Sequence, residues 1–173
     1  MPSSTSVMMR LPPGTGVILN DEMDDFALKP GTPNAFGVMG FEANAVEGGK
    51  RMLSSMTPTF MESPTQLAVL GAPGGSRIIT EVLPGILAYD DGLSAPEVAA
   101  LPRFHHQWFP DVVYVEPGAL DAASIQALEA MGHAVEEDGT WGVLNTVSWD
   151  KQSNTLSGGA DPRNPVGRAA VLP

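Results

Sequence analysis

The sequence predicts a mixed α+β fold on three observations. An apolar run ending at Leu70 breaks at two adjacent glycines and resumes with helical spacing, as a strand entering a helix would. Two further segments open with residues suited to capping a helix: Ser94, followed by Pro96 and Glu97, and Asp121. Residues 145–149 and 155–159 flank a polar stretch in the manner of a hairpin. A chain of 173 residues with 43% hydrophobic content fits one domain with a proper core, here expected over 14–173 behind an irregular segment, 1–13.

Charge narrows the partners. Nine Lys and Arg against 20 Asp and Glu leave a net charge of -11, which argues against a nucleic-acid backbone or an anionic membrane as partner. A small ligand carrying both signs of charge stays compatible. Without cysteine there are no disulfides or thiolate metal sites, and the redox compartment is undetermined. No apolar run reaches the length of a membrane span, and the first ten residues lack the pattern of a secretory signal. Localisation therefore stays open.

Taken in order, Gly16-Val17-Ile18-Leu19 is a short strand candidate that runs into the acidic cluster Asp21, Glu22, Asp24 and Asp25. Carboxylates so close repel one another, so they form either a solvated turn or a site in which Glu22 and Asp25 converge on an amine or a metal ion. The EF-hand spacing is not met. Residues 26–50, rich in Gly, Pro and Asn, read as a long surface loop, and loops of that length are often functional. Residues 53–60 read as extended. Ser54 and Ser55 offer adjacent hydroxyl donors to a carboxylate, or else satisfy local backbone groups.

Residues 66–70 form the strand before Gly74 and Gly75. Lacking Cβ atoms, these glycines turn the backbone sharply and leave successive N–H groups facing outward at a helix start, a place that favours a carboxylate or a developing oxyanion. A plain strand-to-helix turn has the same signature. Neither GxGxxG nor GxxxxGK[ST] is present, so the turn is no nucleotide fingerprint. The helix, expected from Ser76, would bury Ile78, Ile79, Val82, Leu83, Ile86 and Leu87 and bend at Pro84. A short helix follows from Ser94 to about Leu101. His105 and His106 read as structural, because neighbouring side chains on a strand point apart and rarely share an ion. Residues 112–115 suggest a strand, 121–131 a helix stopped by Gly132, and 134–135 the start of another extended piece. The tail from Asp161 reads as extended.

Four stretches, in this order, resemble the small subunit of gamma-glutamyltranspeptidases: Asn20-Asp21-Glu22-Met23-Asp24-Asp25-Phe26, Lys50-Arg51-Met52-Leu53-Ser54-Ser55-Met56-Thr57-Pro58-Thr59, Gly71-Ala72-Pro73-Gly74-Gly75-Ser76-Arg77 and Pro102-Arg103-Phe104-His105-His106-Gln107. The resemblance implies an N-terminal nucleophile hydrolase fold, an αββα sandwich of antiparallel sheets, present here in part. It also implies that the paired serines, Ser54 and Ser55, hold the α-carboxylate of a glutamyl group and that acids at Glu22 and Asp25 hold its α-ammonium. Gly74 and Gly75 match the oxyanion-hole donors.

The implied reaction passes the gamma-glutamyl group of glutathione, or of another gamma-glutamyl compound, to a threonine hydroxyl and then to water or an amine. No cofactor or metal is implied. The implied partner is a large subunit or an upstream segment. The family threonine, whose own α-amine serves as base, precedes the point where this resemblance begins near Gly14. Ser3, Ser4 and Thr5 do not match it, so the nucleophile is expected to be absent and the chain alone inactive. Two other readings stay open: a non-catalytic amino-acid-binding or truncated scaffold module, and a cephalosporin or glutaryl acylase-like amidohydrolase.

Overall fold

Strand signals in this chain are short, and the sheets they build are small. The computed structural model describes residues 12–20, 22–34 and 36–172; Ser3, Ser4, Thr5 and Asp21 lie outside the described residues. The chain forms two compact units, residues 1–54 and residues 55–173.

The first unit has little regular structure, as its Gly, Pro and Asn content leads one to expect. Glu22–Asp25 makes a 3₁₀ turn and Glu42–Asn44 another. A parallel bridge joins Ala27 to Ala45, and an antiparallel one joins Pro33 to Met39. Phe26 and Ala27 are its buried apolar residues. Gly40 permits a close crossing there, since a Cβ on it would come 2.5 Å from that of Ala27. The strand expected at 16–19 does not form. Val17, Ile18 and Leu19 are exposed, and an apolar run becomes a strand only where a neighbouring strand takes up its hydrogen bonds.

The second unit contains, in order, β1 (Thr59–Glu62), β2 (Gln66–Gly71), α1 (Ile78–Asp90), α2 (Ala95–Ala100), β3 (Phe104–His106), β4 (Val113–Val115), α3 (Ala122–Ala130), β5 (Val135–Glu137), β6 (Asn145–Asp150) and β7 (Thr155–Gly159). One sheet is antiparallel throughout, in the order β1-β2-β6-β7, and the other has the order β3-β4-β5. Its β4–β5 pair is parallel, a departure from the all-antiparallel expectation, because α3 carries the chain back between the two strands. The β6–β7 hairpin forms where expected, its turn closed by Asn154 in the left-handed region at φ 54°.

The capping signals also hold. Ser94 and Glu97 form a reciprocal capping box on α2, and the Asp121 carboxylate accepts from the Ser124 amide at 2.7 Å to start α3. Helices α1 and α2 cover one face of the four-stranded sheet, where Ala68 and Leu70 pack with Ile78, Val82, Val98 and Leu144. Two glycines set the spacing. A Cβ on Gly85 would come 2.8 Å from Leu70 Cδ2, and one on Gly159 would come 2.1 Å from the Ala95 carbonyl oxygen. Between the layers, the buried Tyr89 hydroxyl donates to Thr146 Oγ1, which donates to the Val69 carbonyl, each at 2.8 Å.

The buried stripe of α1 differs from the one its periodicity suggests. Ile79, Leu83 and Leu87 are exposed, and the inward face is Ile78, Glu81, Val82, Gly85, Ala88 and Tyr89. The rotation follows from Gly85, whose close approach to Leu70 fixes which side meets the sheet, and from Glu81, which turns inward toward Arg103. Pro84 lies inside α1 without ending it. The opposite face of the four-stranded sheet is apolar and bare. Phe60 is 72% exposed, Val147 and Leu156 are 54% exposed, and strand pairing puts all three on one side with Val69 and Trp149.

Candidate functional site

In the first unit, Glu22 and Asp25 lie at opposite ends of one 3₁₀ turn, Glu22 exposed and Asp25 half-buried. Asn44 connects this turn to the segment carrying Ser54. Its Nδ2 donates to the Asp25 carbonyl at 2.7 Å, and its Oδ1 accepts from the Leu53 amide at 3.1 Å. The Asn44 carbonyl also accepts from the Ala27 amide at 2.9 Å. One side chain thus holds the acidic turn and the approach to Ser54 together. Sequence reasoning passed over Asn44, because a single Asn within a Gly/Pro/Asn-rich loop carries no signal of its own.

In the second unit, Ser55 is half-buried just before β1, and Gly74 and Gly75 form the turn between β2 and α1. Gly74 has φ 143° and ψ 19°, and Gly75 has φ 59°, conformations that side chains resist. The turn closes through the Arg77 amide donating to the Gly74 carbonyl at 3.1 Å. Among the described residues, no hydrogen bond takes up the Gly74 or Gly75 amide. Gly75–Arg77 makes a 3₁₀ turn before α1, so the helix begins through a tighter turn than the regular start expected at Ser76.

Side chains from distant parts of the sequence hold the turn. Ser76 donates to Gln107 Oε1 at 2.6 Å, and Gln107 Oε1 also accepts from His105 Nε2 at 2.9 Å. That bond assigns the His105 proton to Nε2 and leaves Nδ1 to accept from the Thr80 hydroxyl at 2.7 Å. Burial lowers the His105 pKa, and the nearby Arg77 and His106 lower it further against the Gln107 bond, so the ring stays neutral. His106 faces the other way, toward Asp111 at 2.9 Å. Arg77 pairs with Asp138 at 2.9 Å and stacks 4.6 Å from the Trp141 ring.

Beneath this turn lies an ionic cluster that the extended-tail reading did not anticipate. Asp161 Oδ2 accepts from Arg103 and from the Leu144 amide at 2.7 Å, while its Oδ1 accepts from the Arg163 amide at 2.8 Å and the Arg163 guanidinium at 3.1 Å. Burial alone would push the Asp161 carboxyl up, but these donors outweigh it and hold the carboxyl below its ordinary value. Glu116 accepts from the Arg103 amide at 3.0 Å, the Trp141 amide at 2.9 Å and the Arg163 side chain. Glu81 is 2% exposed, and neither carboxyl oxygen has a hydrogen-bond partner. Burial pushes its pKa up to about 7, against the pull of Arg103. No group of three or more metal-ligating side chains occurs among the described residues, and no helix there is long and apolar enough to cross a membrane.

The same architecture occurs in solved enzymes. The chain superposes on the Helicobacter pylori gamma-glutamyltranspeptidase T380A mutant with a TM-score of 0.80 at 39% identity, covering 90% of this chain and 86% of that one. It superposes on the Pseudomonas nitroreducens gamma-glutamyltranspeptidase complexed with L-DON with a TM-score of 0.79 at 40% identity, covering 95% and 86%. Sheet, covering helices and glycine turn define part of an N-terminal nucleophile hydrolase sandwich. A gamma-glutamyltranspeptidase family model matches residues 7–171. The glutathione hydrolase proenzyme of Escherichia coli is 44% identical over 153 residues, 87% of this chain and 26% of that protein. The chain belongs to the gamma-glutamyltranspeptidase family, and it spans about a quarter of the length of the curated relatives it matches.

Proposed function

We propose that this chain supplies the glutamyl-head pocket and the oxyanion donors of an enzyme that transfers gamma-glutamyl groups to water or to an acceptor amine, with glutathione or a related gamma-glutamyl compound as donor. The observation that carries the reading is the Gly74-Gly75 turn, whose left-handed backbone and unpartnered amides suit a carbonyl oxygen gaining negative charge. In this reading Glu22 and Asp25 accept from the α-ammonium group, and Ser54 and Ser55 donate to the α-carboxylate. A zwitterionic head needs both kinds of partner. Asn44 keeps Asp25 and the Ser54 segment in register.

In this reading the attacking threonine is not one of these residues: it lies in a segment upstream of the resemblance, which together with a large subunit completes the enzyme. The bare apolar face of the four-stranded sheet supports such a partner, because a sandwich places a second sheet against that face. The chain alone is then catalytically silent, since pocket and oxyanion donors retain only the part of catalysis that does not need the nucleophile.

Calorimetry with glutamate tests the pocket. The wild-type chain binds, Asp25→Ala weakens binding by about tenfold or more through loss of a charge-assisted bond, and absence of binding by the wild type overturns the pocket. Release of p-nitroaniline from a gamma-glutamyl anilide by the purified chain, above a buffer control, overturns the silence.

A further inference from the structure

Glu81 takes no direct part in the site proposed above, yet it lies against the oxyanion turn. A Cβ on Gly74 would come 3.0 Å from Glu81 Oε1, and one on Gly142 would come 2.1 Å from the same oxygen. The carboxyl group therefore occupies a slot between two glycines that exists because neither carries a side chain. Gly74 has one of the amides assigned to the oxyanion. Glu81 reaches it from the first turn of α1, the helix that the glycine turn opens.

The charges around Glu81 are fully paired without it. Arg103 comes from the segment before β3, Glu116 from that after β4, and Asp161 and Arg163 from that after β7. Asp161 and Glu116 each accept several hydrogen bonds and between them take up both guanidinium groups. Arg103 Nη1 donates to the Trp141 carbonyl and passes Glu81 Oε2 at 3.9 Å, outside hydrogen-bond range. Two positive groups thus meet two bonded carboxylates, and Glu81 is a third acid with no donor. The Trp141 indole N–H, beside Gly142, is also buried and unpartnered.

Resting on the assignment of the Gly74 and Gly75 amides to the oxyanion, we propose that Glu81 is a positioning residue whose uncharged carboxyl is required for the turn to stabilise negative charge. Ionised, it sets a second negative charge behind the donors, in a setting too dry to screen it. Neutral, it leaves the cluster balanced and the amides free to polarise toward the ligand. The burial that raises its pKa places this change in the neutral range, so the turn weakens as pH rises through it.

The test is NMR on the chain itself, following the Glu81 side-chain carboxyl carbon and the Gly74 and Gly75 amides from about pH 5.5 to about pH 8.5. Both amides are expected to shift with the Glu81 midpoint in the wild type and to stay flat over this range in Glu81→Gln. Amides that stay flat in the wild type, or that titrate unchanged in Glu81→Gln, overturn the proposal. Where Glu81→Gln fails to fold, the wild-type titration decides by itself. This readout needs no turnover, so a failure of the gamma-glutamyl reading, which shows as absent glutamate binding, stays distinct from a failure here. In the assembled enzyme, kcat is expected to fall about tenfold on the alkaline side of the Glu81 midpoint, and Glu81→Gln is expected to lose that limb. A limb that persists in Glu81→Gln counts against the proposal.

Discussion

Glu81→Gln should change the stability of the chain by an amount that depends on pH. The Glu81 carboxyl titrates at about 7 in the folded chain against 4.5 for an unperturbed glutamate. Folding therefore favours the protonated form. At pH below 4.5 both states hold the proton and the group is neutral in its effect. Between 4.5 and 7 the unfolded chain loses its proton first, so stability falls as pH rises, and above 7 the full cost of about 3 kcal/mol is in place. Glutamine carries no titrating proton and escapes that slope. Urea unfolding of both proteins near pH 4.5 and near pH 8 should show the variant gaining about 3 kcal/mol relative to wild type between the two conditions, whatever its fixed cost from an unpaired amide. A difference between the two proteins that is the same at both pH values would refute the reasoning.

Other outcomes follow from packing. Gly159→Ala places a Cβ 2.1 Å from the Ala95 carbonyl, where backbone on both sides cannot yield, and should cost about 3 kcal/mol or more by thermal or urea unfolding. An ordinary melting temperature for that variant would mean that α2 does not press on β7 as described. The bare sheet face should make the chain associate as its concentration rises, and Phe60→Lys combined with Leu156→Lys, which charges that face without touching the core, should abolish the association in sedimentation velocity. Identical sedimentation of the variant and the wild type would show that this face is not sticky. Ser94→Ala removes half of the capping box and should cost about 1 kcal/mol, read as a lower urea midpoint with unchanged slope.

What the sequence made legible was local. Ser94, Glu97 and Asp121 act within one helical turn of themselves, and the 145–159 hairpin closes over a four-residue connection, so adjacent residues carried the signal. The strand proposed for 16–19 depended on a pairing partner that an apolar run cannot reveal. The orientation of α1 depended on Gly85 meeting Leu70 and on Glu81 meeting Arg103, contacts that hydropathy counting ranks the wrong way, since it buries Leu83 and exposes a glutamate. Asp161 and Arg163 read as the start of an extended tail because their partners are far away in sequence, Arg103 and Glu116. For the candidate site, the order of motifs identified the family, whereas the clamp by Asn44 and the His105–Gln107–Ser76 relay became visible only with coordinates.

The ionic cluster has a consequence for the order in which the molecule can be made. Arg103 and Glu116 leave the ribosome well before Asp161 and Arg163, the residues that pair with them. Until those last arrivals dock, the interior of the second unit would hold the Arg103 guanidinium and the Glu116 carboxylate without the close ion pairs that compensate their burial, a state the folded core does not tolerate. Completion of this unit therefore waits until residues 161–163 have emerged, and a chain cut at Ala160 would lose the partners of Arg103 and Glu116.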